Sequence, residues 1–114
     1  MRDKERISII KMINYIDKAL KYTRNISFEQ FKNNEEKQDA TVFAISQIGE
    51  LVKNIESETM NEYQNIEWKI IKNLRNKIVH DYEGINLKII WDIILNDLNP
   101  LKENLQKIVN DNWK

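Results

Sequence analysis

Asp39-Ala40-Thr41-Val42-Phe43-Ala44-Ile45-Ser46-Gln47-Ile48-Gly49-Glu50-Leu51-Val52-Lys53-Asn54-Ile55 decides the fold class. Ala40, Phe43, Ala44, Ile48, Leu51 and Ile55 recur at the spacing of one helix face, not at the alternation of a strand. Gly49 lies inside that stripe, where glycine costs about 1 kcal/mol relative to alanine. Close approach of another helix is the expected reason for it. Upstream, Asn33-Asn34-Glu35-Glu36 supplies an Asn cap and an acidic first turn. Ser27-Phe28-Glu29-Gln30 has the form of a capping box, and Phe28 and Phe31 are placed to pack that short element down. Before it, Ile9, Ile10, Ile13, Ile16 and Leu20 predict a first helix from about Lys4 to Thr23.

Downstream, residues 57–65 are polar and read as a loop. Trp68, Ile71, Leu74 and Ile78 predict a third helix ending near Tyr82 to Gly84, with Gly84 as a left-handed C′ residue. Leu87, Ile90, Trp91, Ile94 and Leu98 predict a fourth. Asn99-Pro100 either kinks it or starts a fifth, because proline lacks a backbone donor. Leu101, Leu105, Ile108 and Val109 continue the apolar face. The expected fold is all-α, an up-down bundle of four to five helices. Two glycines and one proline in 114 residues suit that class, since both punctuate loops and strand turns. A chain of this length supports one domain, residues 1–114, with one modest core. Ile70, Ile71, Ile89, Ile90, Ile93 and Ile94 put apolar groups on more than one helix face. A small bundle has little room for all of them, so a homodimer through helical faces is expected.

Composition narrows the chemistry. There is no cysteine, which excludes disulfides, thiolate zinc sites and cysteine nucleophiles. The first residues run into an amphipathic pattern, and no apolar stretch approaches the roughly 20 residues that span a bilayer. A cytoplasmic protein with no membrane association is the expectation. The net charge is zero but uneven. Residues 1–24 carry seven Lys/Arg against three Asp/Glu, residues 25–62 three against eight, residues 63–88 five against three, and residues 89–114 three against four. Charge alone writes in no general nucleic-acid binding. A basic groove could still form where the first and third segments meet.

The densest chemistry lies in Arg75-Asn76-Lys77-Ile78-Val79-His80-Asp81-Tyr82, which holds the one histidine of the chain. On an ideal helix Arg75 and Tyr82 nearly share a face, whereas Arg75 and His80 are splayed by about 140°. The two converge only if the helix ends near His80 or a second copy completes the site. A histidine at a helix C-terminus titrates near neutrality and can pass between acid and base. Cleavage of RNA needs few other parts. The 2′-hydroxyl is the nucleophile, a base and an acid move the protons, and a cation holds the charged phosphorane. No metal or cofactor is called for. A metal-dependent nuclease would want a carboxylate cluster, and Glu36 and Asp39 alone do not make one. The bland alternative is that His80 merely caps carbonyls and that Arg75 pairs with Asp81 or Glu83.

Arg75-Asn76-x-x-x-His80-x-Tyr82 resembles the Arg-x-x-x-x-His-x-Tyr signature of the HEPN superfamily (higher eukaryotes and prokaryotes nucleotide-binding domain), and within it the HepT-like toxins. Asp39-Ala40, Ile48-Gly49-Glu50, Trp68, Leu74-Arg75-Asn76, Trp91 and Leu98-Asn99-Pro100-Leu101 extend the likeness over nearly the whole chain. The residues before 35 are the least diagnostic, and Asn99 is a minor departure. The resemblance implies a helical dimer with two motifs in a shared cleft and metal-independent endoribonuclease activity on cellular RNA. It implies Arg75 and His80 as the catalytic pair, with Asn76 and Tyr82 as supporting, RNA-binding residues. It further implies a toxin–antitoxin pair whose minimal nucleotidyltransferase (MNT) antitoxin silences the toxin by AMPylation of Tyr82. The chain has no Gly-Ser followed by paired aspartates, so a nucleotidyltransferase must act in trans. The alternative is a non-catalytic nucleotide- or substrate-binding subunit that partners a nucleotidyltransferase.

Overall fold

The computed structural model describes residues 1–80 and 84–113, with side chains for all of these except 79, 80, 84 and 85. The described elements are α1 (Asp3–Thr23), α2 (Phe28–Lys32), α3 (Glu35–Leu51) continued by a 3-10 turn (Val52–Asn54), α4 (Ser57–Glu62), α5 (Trp68–Lys72), α6 (Leu74–Ile78), β1 (Val79–His80), β2 (Gly84–Ile85), α7 (Leu87–Asn96) and α8 (Leu98–Asn112). The class is all-α, as expected, and a two-residue antiparallel ribbon is its one addition among the described residues. Four of the helices (α1, α3, α7 and α8) are ten residues or longer.

Helices α1 and α3 form the central pair, with α8 on α1, α5 and α6 on α3, and α7 against α8 and α6. Ile9, Met12, Ile16, Ile45, Ile48, Ile90, Leu105 and Ile108 are fully buried between them. Phe31 reaches Trp91 of α7 at a ring-centroid distance of 5.3 Å, and Phe28 reaches it at 5.8 Å, so α2 is pinned down by its two aromatics. The caps follow the sequence. Ser27 accepts from the Gln30 backbone N–H at 3.1 Å, and Asn34 accepts from that of Lys37 at 3.0 Å. Pro100 stands in the first turn of α8, where its missing donor leaves nothing unpaired, so Asn99-Pro100 starts a new helix rather than kinking α7.

Gly49 shows why α3 carries a glycine. A Cβ built there would stand 2.8 Å from the Ile71 carbonyl oxygen and 3.3 Å from that of Lys72. The backbone of α3 crosses the last carbonyls of α5 at this point. Ile55 lies past the end of α3, which passes into the 3-10 turn first.

Three expectations are corrected. The polar stretch 57–65 is not all loop, because residues 57–62 form α4. Its start is held from far away in sequence. The Glu5 carboxylate of α1 accepts from the Glu56 backbone N–H at 3.0 Å and from the Thr59 hydroxyl at 2.6 Å. The third helix breaks at Asn73 and ends at Ile78 rather than near Tyr82 to Gly84. The Asn73 N–H bonds back to the Ile70 and Ile71 carbonyls as the C-cap of α5. Gly84 is not a helix C′ residue: it belongs to β2 and pairs with His80, while Val79 pairs with Ile85. The aliphatic surplus is also smaller than the sequence suggests. Ile71, Ile90, Ile93 and Ile94 are buried within one chain, Ile89 is half-buried, and Ile70 is exposed.

Candidate active site

Helix α6 is short, and its amphipathic pattern fixes what it presents. Leu74 and Ile78 are buried, so the residues between them, Arg75, Asn76 and Lys77, are turned to the surface. The chain then leaves the helix. Asn86 donates its backbone N–H to the Ile78 carbonyl at 2.9 Å and caps α7 by accepting from the Ile89 N–H at 3.1 Å. The ribbon is thereby tied between the end of α6 and the start of α7. The backbone of His80 lies in β1, two residues beyond the last residue of α6. The 140° splay of a continuous helix therefore does not govern Arg75 and His80. The His80 side chain and the whole of Tyr82 lie outside the described residues, as do Asp81 and Glu83, the alternative partners considered for Arg75.

Arg75 lines an open concavity of about 470 Å³ with Asp39, Phe43, Ser46, Gln47 and Glu50 of α3. Among the described residues no ion pair includes Arg75. Glu50 is paired with Lys53 at 3.0 Å. Phe43 is 57% exposed, with its ring edge-on to Tyr15 at 6.1 Å. The groove thus offers a guanidinium with no ion pair among the described residues, two amide or hydroxyl side chains and an uncovered aromatic, with carboxylates at either end. Asp39 and Glu50 are eleven residues apart on α3, about three turns, so they flank the groove rather than cluster. Among the described residues no three His, Cys, Asp or Glu side chains gather closely enough to hold a metal ion.

The sequence identifies Arg75 and Asn76, but its expected apolar stripe includes Phe43, and this is corrected: the buried face of α3 is centred on Thr41, Ala44, Ile45 and Ile48, and Phe43 lies outside it on the groove side. The signal was present: Phe43, Gln47 and Glu50 follow at i, i+4, i+7, on a face that the buried stripe Thr41, Ala44, Ile45 and Ile48 turns outward. No helix among the described residues is long and apolar enough to cross a membrane.

Comparison with known proteins finds relatives along nearly the whole chain. Residues 12–108 match the family model described as ribonuclease HepT-like. The chain is 33% identical over 107 residues to the Methanocaldococcus jannaschii protein named "Putative RNase MJ0127", covering 93% of this chain and 88% of that one. It is 29% identical over 100 residues to "Putative RNase MJ1216" of the same organism, covering 88% and 83%. No solved structure matches the chain with significance. The chain belongs to the ribonuclease HepT-like family, within the HEPN superfamily.

Proposed function

We propose that this protein is a metal-independent endoribonuclease toxin, working as a homodimer and silenced by a minimal nucleotidyltransferase antitoxin. The observation that carries the proposal is the sequence motif Arg75-x-x-x-x-His80-x-Tyr82, with Arg75 on α6 beside a groove open to solvent and the His80 backbone in β1, in a ribonuclease HepT-like chain.

In the proposed reaction His80 takes the proton of an RNA 2′-hydroxyl. The 2′-oxygen attacks the adjacent phosphorus, and the bond from phosphorus to the 5′-oxygen breaks. The His80 imidazolium so formed returns its proton to that oxygen, which completes the step and leaves a 2′,3′-cyclic phosphate and a 5′-hydroxyl end. Proton transfer of this kind contributes roughly 10²- to 10⁴-fold. The Arg75 guanidinium binds the non-bridging oxygens through its planar fork, and its charge opposes the one developing on the phosphorane. Asn76 supplies a second donor, and Tyr82 positions the RNA. Silencing attaches AMP to the Tyr82 phenol, with pyrophosphate leaving from ATP. The added phosphate would compete with RNA for Arg75.

A second reading is favoured by one observation: Asp39 and Glu50 flank the Arg75 groove. Carboxylates repel the run of phosphates in an RNA backbone more than they repel a ligand that brings a single phosphate to Arg75, which suits a site that binds and cleaves nothing. Growth decides between the two readings. Expression without the antitoxin should arrest growth, co-expression with the antitoxin should restore it, and His80→Ala or Arg75→Ala should be harmless at equal protein level. Harmless wild-type expression would favour the binding subunit.

A further inference from the structure

Helices α5 and α6 carry Lys69, Lys72, Arg75 and Lys77 and no acidic residue from Trp68 to Ile78. All four cations are exposed, and none enters an ion pair among the described residues. Lys69 and Lys72 lie three residues apart on α5, about 4.5 Å along its axis, and Arg75 follows on α6 just beyond the break at Asn73.

The same helix walls a concavity of about 560 Å³ between α4 and α5. Lys69 and Lys72 line it together with Ile70, which is 51% exposed, and with Asn61 and Gln64. A space of this size holds a nucleoside-sized group. Ile70 offers an apolar wall, and the two side-chain amides offer donors and acceptors to a base edge. Trp68 is no stacking platform: it is 6% exposed, and its indole N–H is given to the Tyr63 carbonyl at 3.1 Å. Glu67 is the one carboxylate in the lining, against two lysines.

We infer that single-stranded RNA runs along α5 toward Arg75, with Lys69 and Lys72 on backbone phosphates and an unpaired base in the α4–α5 groove. The inference rests on the proposed RNA reading of the Arg75 site. The track supplies the cationic surface that the acid-flanked Arg75 groove lacks. It also selects single strands, because the base edges of a duplex are already paired and only an unstacked base can enter.

The test uses the whole protein and a fluorescein-labelled 2′-O-methyl oligouridine of about twelve nucleotides. This probe lacks the attacking hydroxyl and reports binding alone. Each neutralised phosphate contributes about 0.7 to the slope of log affinity against log salt for single strands. Lys69→Gln with Lys72→Gln should therefore flatten the slope by about 1.4 and weaken binding roughly 10- to 30-fold in about 0.1 M salt. Lys11→Gln with Lys107→Gln, an equal loss of charge on α1 and α8, should change neither, and an annealed duplex probe should bind more weakly than the single strand. Unchanged binding by the Lys69/Lys72 variant, equal loss in both pairs, or no binding by the wild type would overturn the inference. Cleavage of unmodified RNA is scored separately. Lysine-dependent binding without cleavage overturns the nuclease reading and leaves the track standing, and cleavage with unchanged binding does the reverse.

Discussion

Glu5 is a buried carboxylate, 2% exposed, that accepts the Arg2 and Glu56 backbone N–H groups and the Thr59 hydroxyl. Burial pushes its pKa up, and the three hydrogen bonds outweigh that and hold it below the ordinary carboxylate value. A lowered folded-state pKa contributes stability above the unfolded-state pKa and loses it as pH falls through the folded value. Glu5→Gln should therefore lower the unfolding free energy at neutral pH by about 1–3 kcal/mol, read as a lower urea midpoint. The gap to wild type should narrow in acid below the ordinary carboxylate range, and a gap independent of pH would contradict this account. Thr41 presents the opposite case. It is fully buried, and its hydroxyl has no hydrogen-bond partner among the described residues. Thr41→Val keeps the shape and removes the orphan oxygen, so it should raise stability by about 1 kcal/mol in the same titration. Neither role could be read from the sequence. Glu5 looks like a helix N-terminal acid, and its partners lie 51 and 54 residues away.

Among the elements, those set by local chemistry were legible and those set by distant contacts were not. The Ser27 box, the Asn34 cap and the stripes of α1 and α3 each carry their cause within a few residues. Helix α4 was missed because a carboxylate from α1 secures its first turn. The Trp68, Ile71, Leu74 and Ile78 pattern predicts a longer third helix than forms because it continues across Asn73, where the chain breaks beside the α3 crossing. Gly49 was legible as a close approach, though not which helix it meets. Gly49→Ala gains about 1 kcal/mol of helix propensity and drives a Cβ against backbone oxygen of α5. The net result should be a loss of about 1–3 kcal/mol from overpacking, read as a lower thermal midpoint. Because α5 leads directly into α6, the displaced helix should also reduce activity at temperatures where the variant is fully folded.

For the whole molecule, the proposed dimer and the proposed nuclease are linked through the α3 face. The chain buries most of its isoleucines by itself, so the case for a second copy now rests on what remains outside. That is Phe43, at 57% exposure beside Arg75, with Ile7, Ile10, Ile70 and Leu95 also uncovered. Phe43→Asp replaces a surface side chain and should leave stability within about 0.5 kcal/mol. It should convert a dimer to a monomer in sedimentation and reduce RNA cleavage with it; unchanged sedimentation of a dimer would place the interface elsewhere. The motif was legible as residue types at a spacing, and its setting was not, because the ribbon at 79–80 and 84–85 replaces the helix end that the sequence suggests. The central claim is metal-independent RNA cleavage through His80. Its most direct measurement is incubation of total cellular RNA with the purified protein in EDTA, alongside His80→Ala. The account predicts fragments ending in 2′,3′-cyclic phosphate and 5′-hydroxyl from the wild type only. Intact RNA with both proteins, or equal cleavage by both, would contradict it.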